Sequence, residues 1–154
     1  SGEIICKNLS MPHSPRWHDG KLWFLESGKG SLSVVDPRTG KHEPVAILPG
    51  FTRGLDFFGS LAFIGLSQVR ETAVFSGIPI TEQAIERNSG VWVVNIQTGN
   101  IVAFVKFEDA LQEIFAVQLL TGIKFPDLVN DEDDIIQSTY ELGSDAMKLV
   151  EFNR

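Results

Sequence analysis

Three copies of one short glycine-led pattern restrict the fold of this chain more than any other feature. Each copy places a small polar residue, a glycine and a polar residue ahead of an apolar run. The copies begin at Ser1, Thr39 and Thr98, and second glycines follow at Gly20, Gly59 and Gly122. Repetition of a strand–turn–strand unit is typical of β-propellers and related solenoids. The repeat therefore predicts an architecture, but it names no chemistry.

The first complete unit predicts four short strands joined by tight turns. Asp19-Gly20 is a strong hairpin signal, and two further glycine-containing turns follow it. The predicted strands cover residues 14–19, 21–26, 32–36 and 42–48. Four such strands in about 40 residues match one propeller blade. We therefore predict an all-β fold of four-stranded antiparallel blade repeats, forming a partial β-propeller.

The second unit aligns with the first after one insertion. The matched segments are 61–64 with 22–25, and 93–99 with 34–40. The spacing between leading glycines grows from 38 to 59 residues, so about 21 extra residues fall between Arg70 and Gly90. One leading strand is expected after Gly2, and a third unit is expected to begin with a strand over residues 113–120.

The second strand of the first unit is apolar on both faces. Leu22 and Phe24 point one way, and Trp23 and Leu25 point the other. A half-exposed strand would alternate with polar residues. Stacked blades cover their middle strands on both sides, whereas a two-layer β-sandwich leaves one face of each sheet in water. The pattern favours stacked blades, and the sandwich is the alternative.

Domain boundaries follow from the repeat and from the charge. Residues 1–125 form the blade repeats, with an insertion at 70–89, and carry 12 acidic against 11 basic side chains. Residues 126–154 carry 8 against 2, and we expect an acidic, partly mobile C-terminal segment. Propellers close with about 4 to 8 blades, more than are found here. Because Gly2 lies in a repeat turn, we expect the chain to begin within a longer array, or copies to associate and complete a ring.

Composition excludes several classes of function. The net charge of −7 without a basic stripe argues against nucleic acid as a partner. No apolar stretch approaches the ~20 residues of a membrane helix, and no secretory signal is recognisable. Cys6 is the only cysteine, which excludes an internal disulfide and a multi-cysteine zinc site. We therefore expect a cytoplasmic protein that does not associate with membranes.

Polar residues on the predicted first strands are the candidate ligand site. First strands line the central channel of a propeller, so their side chains converge there. The candidate channel mouth comprises His13, Arg16, Arg53, Asp56 and Glu113, flanked by Arg70 and Glu71 of the insertion. Arginines oriented by carboxylates suit a small anionic ligand or a protein partner. The alternative is that these charges form structural ion pairs between blades.

Catalytic motifs are not recognisable in this sequence. Gly28-Lys29-Gly30 lacks the upstream glycine of a phosphate loop, and no serine has a G-x-S-x-G context. The acidic run at 131–134 lacks the glycine and glutamate of an EF-hand. We therefore assign no catalytic residue, metal or cofactor, and predict a binding or scaffold domain.

The alternative function is a metal-dependent hydrolase of the lactonase type. Such enzymes hold a channel ion on carboxylates, and oxygen ligands suit calcium or magnesium. The candidate ligands are Glu26, Asp56, Glu71 and Glu113.

Three segments carry a resemblance to a known family. Residues 10–17 (SMPHSPRW), 49–55 (PGFTRGL) and 65–71 (GLSQVRE) resemble a bacterial family of conserved hypothetical proteins. The resemblance runs from Ser1 to about Asp127, and some members of that family stand beside tetratricopeptide repeats. Members look roughly twice this length, so the resemblance implies that this chain corresponds to their C-terminal half. It implies no activity.

Overall fold

The computed structural model describes residues 2–68, 89–108, 111–124 and 126. The chain divides into two compact units, residues 1–119 and 120–154. The first unit contains two antiparallel sheets in which each strand pairs with the next along the chain. Sheet 1 consists of β1 (Pro12–His18), β2 (Lys21–Glu26), β3 (Ser31–Val35) and β4 (His42–Ile47), and sheet 2 of β5 (Phe51–Phe58), β6 (Leu61–Ser67), β7 (Ser89–Asn95) and β8 (Ile101–Phe107). The predicted all-β class and the four-stranded antiparallel blades are confirmed.

The strands of sheet 1 follow the sequence prediction closely. β2 has the predicted bounds, and a single 3-10 turn over Ser27–Lys29 joins it to β3. β1 begins at Pro12, two residues earlier than predicted. β1 pairs only with β2 in its sheet, so its prolines lie in an edge strand, where a missing N–H costs no ladder hydrogen bond.

The turn from third to fourth strand is the same in both sheets. Gly40 has φ 70° and Gly99 has φ 74°, a conformation that glycine adopts without steric cost. The Gly40 N–H donates to the Asp36 carbonyl at 2.8 Å, and the Gly99 N–H donates to the Asn95 carbonyl at the same distance. In each turn the Asp or Asn side chain also accepts the amide two residues on. The repeated Thr-Gly pattern is therefore a repeated turn.

The structure shifts the predicted match of the second strands by one residue. Two-residue turns join β1 to β2 at Asp19-Gly20 and β5 to β6 at Gly59-Ser60, so Lys21 corresponds to Leu61. Cross-strand pairing agrees, because Leu22 faces Val35 where Ala62 faces Val94. The alignment of Gly20 with Gly59 was wrong, because glycine is the second residue of the first turn and the first residue of the other.

The two sheets pack face to face over one apolar core. Sheet 1 contributes Trp23, Leu25, Leu32, Ala46 and Leu48, and sheet 2 contributes Leu55, Ala62, Ile64, Leu66, Trp92 and Val94. Trp23 and Leu25 thus face sheet 2, while Leu22 and Phe24 line a cavity on the opposite face, as predicted. β1 lies beside β5, so the two first strands are neighbours.

Two irregular segments lie against the faces that point away from this core. Residues 2–9 pass beside the β3–β4 turn, where a Cβ on Gly40 would come within 3.0 Å of the Ile5 carbonyl oxygen. Residues 111–119 lie against β5 and β6, and the Ser67 hydroxyl bonds both the N–H and the carbonyl of Ile114. Each segment therefore covers part of the face of its sheet that points away from the core.

Two strand predictions were wrong. Residues 2–9, expected to begin with a leading strand, and residues 113–120, expected to open a third unit, form no strand. Neither segment has a partner strand among the described residues. The backbone of 111–119 is instead held by isolated hydrogen bonds, such as the one from the Gln68 N–H to the Gln112 carbonyl at 2.8 Å.

The described part of the second unit comprises residues 120–124 and 126. Gly122 has φ 81°, and the Ile123 N–H donates to the Leu120 carbonyl at 3.3 Å, so the second glycine of the third copy does form a turn. The rest of the acidic C-terminal segment lies outside the described residues, as does the insertion up to residue 88. Across the described ranges, no helix has the length and apolarity needed to cross a bilayer.

Candidate functional site

The two first strands are distorted at the same place. β1 has a bulge between His13 and Arg16, and β5 has one between Thr52 and Leu55. Ser14 has φ 52° in the first bulge. Gly54 has φ 82° in the second, and a Cβ there would clash with Ala116 and Val117. Bulges redirect side chains and occur next to functional sites more often than elsewhere.

A direct hydrogen bond joins the two bulges. The Gly54 N–H donates to the Ser14 hydroxyl oxygen at 3.1 Å. His13 and Arg16 flank Ser14 on β1, and Arg53 and Asp56 flank Gly54 on β5. The structure therefore brings these two predicted pairs onto adjacent strands.

Two more hydrogen bonds join the first repeat to β5 or to the turn after it, and in both the acceptor is a backbone carbonyl. The His18 Nε2–H donates to the Gly59 carbonyl at 2.8 Å, and its ring stacks on Phe57 with centroids 4.2 Å apart. The buried Ser27 hydroxyl donates to the Thr52 carbonyl at 2.5 Å. These bonds fix the two first strands against each other.

His13 contacts Ser27 and so supports the hydrogen bond from Ser27 to Thr52. Its Nδ1 lies 2.8 Å from the Ser27 hydroxyl and 3.0 Å from the Met11 carbonyl, which only accepts, so Nδ1 carries the proton. The ring also meets Phe51 edge-on at 5.8 Å. Because the Ser27 hydroxyl donates to a carbonyl and is fully buried, His13 and Ser27 position the backbone and do not form a nucleophile–base pair.

The arginines differ in how firmly they are held. Arg16 is exposed and donates from Nη1 to the Pro15 carbonyl at 3.1 Å. The Arg53 guanidinium carbon lies 4.3 Å from the centroid of the Phe115 ring, a cation–π contact. Arg16 is thus the more accessible of the two cations.

Asp56 anchors the segment that follows sheet 2. One carboxylate oxygen accepts the Phe57 N–H at 2.9 Å, and the other accepts the Leu119 N–H at 2.7 Å. Glu113 is half-buried on the same segment, and Arg70 and Glu71 lie outside the described residues. The full predicted set therefore stays a prediction.

The carboxylates proposed as metal ligands have other partners where the structure describes them. Glu26 is 3% exposed, bonds the Ser10 N–H at 2.9 Å and pairs with the Lys29 ammonium at 2.7 Å. Asp56 holds two backbone amides. Among the described residues, no three His, Cys, Asp or Glu side chains are grouped as a metal site requires. Of the other two candidates, Glu113 is half-buried on the segment after sheet 2, and Glu71 lies outside those residues.

A cavity of about 340 Å³ opens on the face of sheet 1 that points away from sheet 2. Its wall is mostly apolar, and Leu22, Phe24 and Val35 form its floor on β2 and β3. Cys6 and His13 also line it. A pairing that the sequence interpretation missed lies here, because the Cys6 sulfur is 3.3 Å from Nδ1 of His42. The repeat gave no signal for this pair, because Cys6 is four residues after Gly2 whereas His42 is two residues after Gly40.

Comparison with known proteins supports an uncharacterised family and the extent of the resemblance along the chain. No curated protein matches this chain. Residues 1–129 match a family of uncharacterised function, close to the predicted extent of 1 to about 127. The match covers the whole of both sheets and the segment after them, so the chain belongs to the family described as Domain of unknown function (DUF4915).

Proposed function

We propose that this chain is a non-catalytic, propeller-like binding or scaffold domain whose two sheets are successive blades of a ring completed by further copies. One repeated contact carries the proposal. A Cβ on Gly99 would come within 3.0 Å of the Val45 carbonyl in β4, as one on Gly40 would with Ile5. The β3–β4 turn of sheet 1 thus lies against the segment that follows Gly2, and the β7–β8 turn of sheet 2 lies against the segment that follows Gly40. Neighbouring blades of a propeller are related in this way.

The outward face of sheet 1 supports a further blade. Ala62, Ile64 and Val94 of sheet 2 are fully buried against sheet 1. Their counterparts in sheet 1 are Leu22, Phe24 and Val35, which form the cavity floor. The cavity above these side chains is mostly apolar, and an apolar recess on the outer face of a sheet favours association.

The adjacent bulges support a ligand site at the channel mouth. Arg16 presents an exposed guanidinium beside the Ser14–Gly54 hydrogen bond, and Arg53 and Asp56 lie on the other side of it. Guanidinium groups bind carboxylates and phosphates through paired hydrogen bonds. The proposed ligand is a small anion or an acidic protein segment, with His13, Glu113, Arg70 and Glu71 completing the site.

Self-association is tested by light scattering across a dilution series. The natural chain is expected to have a mass above that of one copy. Leu22→Glu places a charge in the floor of this cavity and is expected to shift the mass to one copy. Gln97→Glu, which adds the same charge at an exposed turn of sheet 2, is the control and should behave as the natural chain. A single-copy mass for the natural chain at every concentration contradicts the ring.

The anion site is tested by thermal unfolding with inorganic phosphate and with small dicarboxylates. We expect a rise in Tm that Arg16→Ala abolishes. Arg38→Ala is the matched control, because Arg38 is also an exposed arginine of sheet 1 but lies in the β3–β4 turn. Equal responses of the two variants would remove Arg16 from the site.

A further inference from the structure

Cys6 and His42 form a thiol–imidazole pair although 36 residues separate them. The Cys6 sulfur lies 3.3 Å from His42 Nδ1, and both side chains are half-buried. His42 opens β4, and the Phe24 ring meets its imidazole edge-on at 6.0 Å. Ile5, which precedes Cys6, has its carbonyl against Gly40, two residues before His42.

The pair lies where two depressions of sheet 1 meet. Cys6 lines the 340 Å³ apolar cavity, and His42 lines a neighbouring groove of about 700 Å³. Val35 belongs to both walls. Lys21 and Lys41 line the groove together with Asp36 and Glu43, so charges of both signs accompany the imidazole. A small apolar molecule in the cavity is therefore adjacent to the thiol, with a proton acceptor on the thiol's other side.

We propose that Cys6 and His42 form a reactive thiol site for small apolar disulfides that enter this cavity. The thiolate is the nucleophile in such reactions, and an imidazole within hydrogen-bond reach favours its formation. No other thiol exists in the chain to resolve the product, so the site retains one adduct per chain.

The exchange balances within the pair and its co-reactant. The proton of Cys6 moves to Nδ1 of His42, and the Cys6 sulfur attacks one sulfur of the low-molecular-weight disulfide. The new Cys6–sulfur bond forms as the disulfide bond of the reagent breaks. The leaving thiolate takes the proton from His42, so the imidazole returns to its starting state.

The test uses 4,4′-dithiodipyridine, an apolar aromatic disulfide whose leaving group absorbs light. Rates are measured at pH 7 on the whole chain, and Cys6→Ser gives the blank. His42→Asn keeps a hydrogen-bond donor but removes the proton acceptor, and we expect the rate to fall by roughly 10-fold or more. His18→Asn is the matched control, because His18 lies on β1 and bonds Gly59, and it should leave the rate unchanged. Equal rates for the natural chain and His42→Asn overturn the proposal.

A second comparison measures the same reaction rates on the unfolded chain. In urea the natural chain and His42→Asn should react alike, because the pair exists only in the fold. If His42→Asn fails to fold, the folded natural chain must react faster than the same chain in urea, and an equal or slower rate overturns the site. The inference does not rest on the proposed ring. A neighbouring blade that covers the cavity slows the natural chain and His42→Asn alike and leaves their ratio intact, and the comparison with urea is made at a concentration where light scattering gives the mass of one copy.

Discussion

The outer strands of the two sheets occupy equivalent places but differ in what surrounds them. β4 has Glu43 and Pro44 at exposed positions, and its Ala46 is buried against sheet 2. β8 is apolar at nearly every position, yet six of its seven residues are exposed. Phe104 is 62% exposed even though its ring stacks on Trp92 at 5.6 Å. The repeat sets where a strand forms, and the neighbouring sheet decides whether its apolar side chains are covered.

That difference also concerns the strand edges. An exposed apolar edge strand offers unpaired backbone groups to other chains, and proteins usually protect such edges with charge or proline. Pro44 and Glu43 protect β4 in this way. β8 has one charge, Lys106, near its end. Within the described residues, β8 is therefore less protected than β4.

The largest expected change in stability distinguishes a core residue next to β4 from an exposed residue of β8. Leu48 follows β4 and is 1% exposed in the core, so Leu48→Ala should lower the free energy of unfolding by about 2–5 kcal/mol. Val102→Ala in β8 should cost less than about 1 kcal/mol, because Val102 is 54% exposed. Urea unfolding of both variants measures the difference. Equal losses would mean that β8 is as well covered as β4.

The second prediction compares the two Thr-Gly turns. Gly99→Ala should destabilise by on the order of 2 kcal/mol, because the added methyl meets both an unfavourable φ and the carbonyl of Val45 in β4. Gly40→Ala should cost about 1 kcal/mol, since Ile5 belongs to no strand and can move away. Denaturant midpoints measure both values. A larger loss for Gly40→Ala would show that residues 2–9 are held as rigidly as β4.

A third prediction concerns the edges. Val105→Lys should slow aggregation on heating by a factor of several, because a charge on the exposed edge strand opposes strand pairing. Pro44→Val should have the opposite effect, since it restores an N–H to β4 and makes that edge resemble β8. Light scattering during a slow temperature ramp compares the two variants. Unchanged aggregation in Val105→Lys would assign the exposed association surface to another part of the chain.

The smallest expected effect depends on pH. The backbone amide of Arg38, which donates to the Asp36 carboxylate, holds the pKa of Asp36 below its ordinary value. A carboxyl whose pKa is lowered on folding stabilises the fold above its unfolded pKa of about 3.9 and loses that contribution as pH falls through its folded pKa. The Arg38 amide resonance should therefore shift with acid, while that of Gln97, bonded to Asn95, stays constant. Asp36→Asn should abolish the shift, and a shift at both amides would contradict this account.

Local signals in the sequence predicted most of the fold. Asp19-Gly20 and the two Thr-Gly turns require positive φ at glycine, and the structure has it at each. The strand expected over 113–120 failed because apolar composition supplies no partner strand, and Ser67 and Asp56 bind that backbone instead. The one-residue error between β2 and β6 arose because alignment by glycine ignores where the glycine stands in its turn.

The candidate site was predictable only in part. Placement on the first strands put His13 and Arg16 beside Arg53 and Asp56, and the structure has those strands adjacent. The bulge at Ser14 was not predictable, because a non-glycine residue with φ 52° leaves no sequence signal. The Cys6–His42 pair depends on a contact across 36 residues, which spacing alone does not reveal.

Each of the three hydrogen bonds between the two repeats pairs a side chain of the first repeat with a main-chain group of the second. Ser14, His18 and Ser27 supply side chains, whereas Gly54, Gly59 and Thr52 contribute only main-chain groups. A carbonyl acceptor does not depend on its residue's side chain, so the bonds to Thr52 and Gly59 ask nothing of the side chains there. The bond from Gly54 differs, because a side chain at that position would meet Ala116 and Val117. Substitutions that accumulate over evolution at Thr52 can therefore leave its link intact, whereas those at Ser14, His18 or Ser27 remove the bond that each side chain supplies.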